Sequence, residues 1–295
     1  MAKGKILALH GFGQNAHIFK TQIKSICRSC EDEFEFGMDS PPDMISQRST
    51  HILVFLDGPI LVQLPDEPCN GISLFNDNGL PISRRPPEAV DPLTTPRGWF
   101  TFNETWSEFY GVEESLLFLR SALMKEHFDG IFAFSQGASI ASYLCTYLED
   151  PLAHPMFYPR FHPPMKFAIF ACSLCPVHPP LPARLRTPTL HVLGRTDTFM
   201  PATKSWALIG ACTNARVEYH EGGHFVRTKA TWRKFFREWM LAFRPGSWVD
   251  PDDVLSPMPT VISEESLARA RTPISELTAL GSGLPVNPEC GLCMA

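Results

Sequence analysis

FDGIFAFSQGASIASYLCTY, residues Phe128 to Tyr147, is the stretch on which the reading of the fold turns. Asp129-Gly130 marks a turn. Ile131-Phe132-Ala133-Phe134 is an unbroken apolar run, the pattern of a parallel strand covered on both faces. From Gln136 the period changes: Ala138, Ile140, Ala141, Leu144, Cys145 and Leu148 recur at three- and four-residue spacing. This predicts a helix with a small near face, ended by Pro151. Ser135 falls at the join. A sharp strand-to-helix turn holds one side chain in a strained conformation at the sheet edge and needs small residues two before and two after it, here Ala133 and Gly137. The usual form is Gly-x-Ser-x-Gly, and Ala133 adds a methyl where strand and helix approach. Ser135 is thus a candidate nucleophile, with the amide of Gln136, at a helix N-terminus, aimed where an oxyanion would form. An ordinary β-α junction would look similar, so the test is whether an acid and then a histidine follow at the ends of later strands.

Upstream, Lys5 to Leu9 reads as a buried strand that runs into His10-Gly11-Phe12-Gly13-Gln14-Asn15. Gly11, Gly13 and Ala16 fit the spacing of a dinucleotide loop, but that fingerprint wants its acid at the end of the second strand, and here the second strand comes later, at Ile52 to Leu56. In the other reading the amide of Phe12 is the second oxyanion donor. Ala16 to Cys30 is an amphipathic helix with Phe19, Ile23 and Ile26 on one stripe. Asp57, ending a strand, rivals as a triad acid, though an Asp-Gly-Pro turn also explains it.

Ile60 to Tyr110 is irregular and proline-rich. Its aromatics Trp99, Phe100, Phe102 and Trp106 are candidates for the wall of an acyl pocket, as is Phe157 in a second insertion, Pro151 to Pro164. Between the insertions Val112 to His127 reads as a helix covering the sheet with Leu116, Leu117, Leu119, Leu123 and Met124. After the strand Lys166 to Cys172 comes Thr189 to Leu193, broken by Gly194, with Asp197 on the following loop, where a triad carboxylate belongs. Val217 to Tyr219 is a last strand, and the glycine pair in His220-Glu221-Gly222-Gly223-His224 lets an imidazole reach back over the sheet. His224 is the candidate base, His220 the second choice, and His191, inside a strand, a core histidine. A helix from Thr228 to Phe243 closes the fold.

The 295 residues, 44% hydrophobic and 19% charged, suit a large α/β domain; we expect it over 1–245, with a tail over 246–295, partly ordered at best and with a short helix at Glu264 to Ala270. A net charge of −5 without basic runs excludes a nucleic-acid surface. The N-terminal apolar run is too short for a signal segment and no stretch reaches a membrane span, so a cytoplasmic protein is expected. Among nine cysteines stand three Cys-x-x-Cys pairs, Cys27/Cys30, Cys172/Cys175 and Cys290/Cys293. They lack the flanking residues of zinc knuckles and read as thiols of a reducing compartment, so no metal and no cofactor are expected.

LHGFGQNA (Leu9–Ala16), LDGP (Leu56–Pro59), FSQGA (Phe134–Ala138), GRTDTFMP (Gly194–Pro201) and EGGH (Glu221–His224), in this order and spacing, resemble the fungal serine hydrolase family of small α/β hydrolases, which includes polyketide-releasing thioesterases. The resemblance covers roughly residues 5 to 243. It implies the α/β-hydrolase fold, with Ser135 as nucleophile, Asp197 as acid and His224 as base. It also implies an acyl ester or a carrier-bound thioester as substrate, with a polyketide synthase as a partner. An acyltransferase would use the same triad, and a non-catalytic binding protein could keep the pocket without turnover.

Overall fold

A computed structural model describes residues 4–31, 34–35, 53–62, 91, 93–103, 108–158, 160–176 and 179–258; Trp106, Cys290/Cys293 and the helix expected at Glu264 to Ala270 lie outside them. Seven strands form one sheet, β1 (Gly4–Leu9), β2 (Phe34–Glu35), β3 (Leu53–Leu56), β4 (Gly130–Phe134), β5 (Phe167–Ala171), β6 (Thr189–Gly194) and β7 (Ala215–His220), and each pairing in it is parallel. Across the sheet the order is β7-β6-β5-β4-β1. The far edge of β1 is shared between β2, opposite Gly4 and Lys5, and β3, opposite Ile6 to Leu9. Among the described residues four α-helices lie between these strands in the chain, α1 (Ala16–Cys30), α2 (Val112–Lys125), α3 (Gln136–Glu149) and α4 (Ala202–Ala211), and α5 (Ala230–Leu241) follows β7.

Alternate residues of the central strands β1, β4 and β5 enter different cores, because successive side chains of a strand point to opposite faces. Leu7, Leu9, Ile131, Ala133, Ala168 and Phe170 pack with α2 and α3. Ile6, Ala8, Phe132, Phe134, Phe167, Ile169 and Ala171 pack with α1 and α5. Both faces being covered, all five residues of β4 are buried, which is why its sequence is apolar throughout.

The helices are placed by their stripes and caps. Asn15 starts α1 by accepting the amide of Ile18 at 2.8 Å, and Phe19, Ile23, Ile26, Cys27 and Cys30 turn inward. Asp57 accepts the amide of Ala16 at 2.8 Å. The rival acid is therefore a partner of the α1 N-terminus. On α2 the buried stripe is Val112, Leu116, Leu119 and Leu123. Leu117 and Met124, expected on the sheet, are 43% and 58% exposed, since each step along a helix turns about 100° away from its neighbour.

In the first insertion two antiparallel pairs join Ile60–Leu61 to Arg97–Gly98 and Thr101–Phe102 to Phe109–Tyr110. Beyond residue 245 the chain runs along the edge strand β7, where the Arg216 guanidinium donates to the carbonyls of Pro251 and Val254, each at 2.6 Å. Among the described residues no helix is long and apolar enough to cross a membrane.

Candidate active site

Ser135 sits between β4 and α3 with φ 51° and ψ −120°, a conformation that costs a non-glycine residue about 1–3 kcal/mol. The ladder and the helix hold it there: its amide donates to Ala171 O at 2.8 Å, and its carbonyl accepts from Ala138 N at 2.9 Å. Gly137 makes the turn feasible. A Cβ at this position would lie 2.5 Å from the carbonyl oxygens of both Leu9 and His10, so only glycine lets α3 approach β1 this closely. Ala133, where the pattern usually has glycine, belongs to the α2/α3 core.

The acid and base loops are laced together. Arg195 N donates to His220 O and Thr196 N to Gly222 O, and a Cβ on Gly194 would lie 2.4 Å from the carbonyl oxygens of Gly222 and Gly223. That lacing carries His224 over the ends of β6 and β5. His224 Nε2 lies 2.9 Å from Ser135 Oγ, and Nδ1 lies 2.8 Å from Asp197 Oδ2. The other carboxylate oxygen of Asp197 accepts the amide of Met200 at 2.7 Å. A carboxylate only accepts, so the imidazole carries its proton on Nδ1 and turns the Nε2 lone pair to the serine hydroxyl. The rings of Phe134 and Phe199, each 4.9 Å away between centroids, pack against the imidazole. Ser135, Asp197 and His224, singled out in the sequence at separate strand ends, are thus brought into one hydrogen-bonded row.

His220 is buried between Phe225 and Trp232, and neither of its ring nitrogens bonds to this row. His191 is buried in β6, where Nε2 meets Thr189 Oγ1 at 3.1 Å and burial lowers its pKa to about 3. His10 is the other buried ring near the site. Its Nε2 accepts the Gly58 amide at 2.9 Å and its Nδ1 donates to Gly11 O at 2.7 Å, and burial lowers its pKa to about 4.

The loop after β1 passes beside the nucleophile: a Cβ on Gly11 would come within 3.3 Å of Ser135 Cβ. The Gly11 amide donates to Gln14 Oε1, the Gly13 amide to Arg97 O and the Gln14 amide to Gly11 O. These internal bonds engage the amides that a pyrophosphate would need, which argues against the dinucleotide reading. The amides of Phe12 and Gln136 belong to the two turns that flank Ser135.

The pocket residues anticipated from the sequence are placed differently. Trp99 and Phe100 are at most 1% exposed and belong to the α2/α3 core. Phe157, equally buried, packs its ring on Tyr147 at 5.4 Å, twelve residues and so about 18 Å along α3 from Ser135. All three fill space in the core, which the aromatic count of an insertion could not distinguish from lining a cavity. Other rings near the site are the half-buried Phe12, on the turn beside Ser135, Phe102 against Phe12 at 5.4 Å, and Phe199 against the His224 imidazole at 4.9 Å. Of these only Phe102 was anticipated as a pocket wall; Phe12 and Phe199 each lie inside a quoted motif, and that membership was the available signal.

Among the described residues one group has the donor set of a metal site: Cys172, Asp197 and His224, with ligand atoms within 4.8 Å of one another. Two of its three members are already bonded in the serine row. Cys27 and Cys30 face the α1/α5 core, where burial raises their pKa values to about 12 and about 11.

Comparison with known proteins agrees with this geometry. The pattern of the serine hydrolase (FSH1) family matches residues 1–236. An uncharacterized hydrolase of Schizosaccharomyces pombe is 27% identical over 234 residues, covering 76% of this chain and 47% of that protein, so this chain spans about half its length. Esterase OVCA2 of Homo sapiens is 28% identical over 257 residues, 81% of this chain and 96% of that protein. The crystal structure of Zea mays acyl-protein thioesterase 2 superposes with a TM-score of 0.51 at 17% identity, over 82% of this chain and 94% of that one, a likeness of α/β-hydrolase fold.

Proposed function

We propose, from the premise that the chain belongs to the serine hydrolase (FSH1) family, that it cleaves a carboxylic ester or thioester with an apolar acyl group through an acyl-enzyme on Ser135. The observation that carries this is the unbroken row Ser135 Oγ, His224, Asp197, with the serine in a strained turn at a helix N-terminus. His224 Nε2 takes the Ser135 proton as Oγ bonds to the acyl carbon, and the amides of Phe12 and Gln136 stabilise the oxyanion. As the tetrahedral adduct collapses, the bond to the leaving oxygen or sulfur breaks and that atom receives the proton from His224. Water repeats the sequence in reverse roles and frees the acid. Asp197 holds the imidazole in the tautomer this requires.

An apolar acyl group is supported by the paired rings of Phe12 and Phe102 on the turn beside the serine and by Phe199 against the catalytic imidazole. The finer reading, release or trimming of a polyketide chain delivered by a synthase, rests on the motif resemblance. A reducing cytoplasmic setting is supported by the free thiols of all six described cysteines. The test is labelling with a fluorophosphonate probe, read by intact mass and peptide mapping. A single adduct on Ser135, absent in Ser135→Ala, is expected, and a folded protein that takes no label would overturn the proposal. Product partition with added alcohols or amines separates hydrolysis from acyl transfer.

A further inference from the structure

Gln136 lends more than its amide to the site. Its side chain is buried, with Oε1 accepting the amide of Trp99 at 2.7 Å and Nε2 donating to Phe100 O at 2.6 Å. The carboxamide thus pairs with the main chain of residues 99–100 as a neighbouring strand would. Trp99 is held at three further places. Its indole Nε1 donates to His10 O at 2.9 Å, its carbonyl accepts the hydroxyl of Ser115 on α2, and its ring lies 5.2 Å from that of His10. Two residues before it the same segment grips the loop after β1: Gly13 N donates to Arg97 O at 2.9 Å and Arg97 N to Gln14 O at 2.8 Å. At Gly98, between these contacts, a Cβ would sit 3.1 Å from Gln136 Oε1 and 3.2 Å from the Phe12 ring.

Residues 97–100 therefore bridge the turn that carries the Phe12 amide and the turn that carries the Gln136 amide. The two turns come from distant parts of the chain, and an oxyanion hole needs its donors fixed to within a few tenths of an ångström before the charge develops. We propose that the Gln136 side chain and Trp99 are positioning residues that set the spacing of the two oxyanion donors. This rests on the acyl-transfer reading above. Neither side chain touches the substrate; each acts through the backbone amides it holds.

The experiment compares the wild type with Gln136→Met, which keeps the helix amide and the side-chain volume but loses both bonds to the wall, and with Trp99→Phe, which loses the indole bond to His10 O. Each is assayed on an activated ester and titrated with two ligands of one acyl chain: a trifluoromethyl ketone, which forms an oxyanion on the serine, and the inert ether, which does not. We expect kcat/KM to fall about 10- to 100-fold in Gln136→Met, less than complete loss of a donor causes. The trifluoromethyl ketone should weaken by the same factor. The ether should bind as before, and the midpoint of the pH profile should stay in place, because the Ser135–His224–Asp197 row is untouched. Unchanged kcat/KM, or equal weakening of ketone and ether, would overturn the proposal, the second result meaning a general distortion of the pocket. Should Gln136→Met not fold, Trp99→Phe carries the same comparison. Failure of the acyl-transfer reading is a separate result, absence of the Ser135 adduct in the wild type.

Discussion

The ends of β4 and β5 lie side by side, and each carries a non-glycine residue in the left-handed region, Ser135 at φ 51° and Cys172 at φ 50°. Both are nearly buried, and both side chains end near the Asp197–His224 pair. Their surroundings differ. Ser135 opens a helix, so an amide with no helical partner follows it, and its oxygen faces the lone pair of Nε2. After Cys172 comes coil. Its thiol lies 3.8 Å from Phe225 O, and burial first, then the charge of Asp197, push its pKa far up. By chemistry alone the sulfur would be the better nucleophile. Position reverses the order: burial and the neighbouring Asp197 carboxylate hold the thiol protonated, so strain and proximity to a triad do not by themselves activate it.

The most severe way to break that comparison is Ser135→Ala. Ester turnover should drop on the order of 10⁴- to 10⁶-fold with the fluorophosphonate adduct lost, and retention of the rate would mean that Cys172 or another group does the work. Asp197→Asn is next. The amide nitrogen would face Nδ1 and force the imidazole proton onto Nε2, so kcat should fall on the order of 10³- to 10⁴-fold while probe-free folding, followed by circular dichroism, is kept.

A third strand end, that of β1, extends the comparison to a buried histidine kept out of the chemistry. His10 stays neutral in the folded protein down to about pH 4, whereas the unfolded chain takes up the proton near 6.5. Its share of stability is complete above pH 6.5 and is lost as the pH falls towards 4, by about 3 kcal/mol. Urea unfolding at stepped pH values should show this decline, and a His10→Gln variant should lessen it while the share of the other buried histidines, His191 among them, remains. The smallest effect concerns the thiols. At pH 8 native Cys172, 1% exposed, should be alkylated by iodoacetamide about tenfold more slowly than the half-buried Cys175, as peptide mapping would show, and equal rates would mean that the end of β5 opens to solvent.

Much of this was legible in the residues. The run Ile131 to Phe134, the change of period at Gln136 and the glycines at 137, 194, 222 and 223 carry their own local physics, so strands, helices and the order serine, acid, histidine could be read directly. Misplacements came where one residue type serves two ends. Leu117 and Met124 look like core residues until the helical phase turns them outward. Trp99, Phe100 and Phe157 satisfy an aromatic wall and a packed core equally well by composition.

By itself the sequence determined which turns form and which side chains they present, because backbone strain, capping and periodicity act over a few residues. Only the tertiary structure decided that Ser135 and His224, 89 positions apart, stand 2.9 Å from each other. The same holds for Cys172, a thiol lying beside the acid, and for the Gln136 carboxamide, which grips a segment 36 residues upstream. Those distances are set by sheet order and helix packing, which sum weak contacts over the whole chain and leave no mark at any one position.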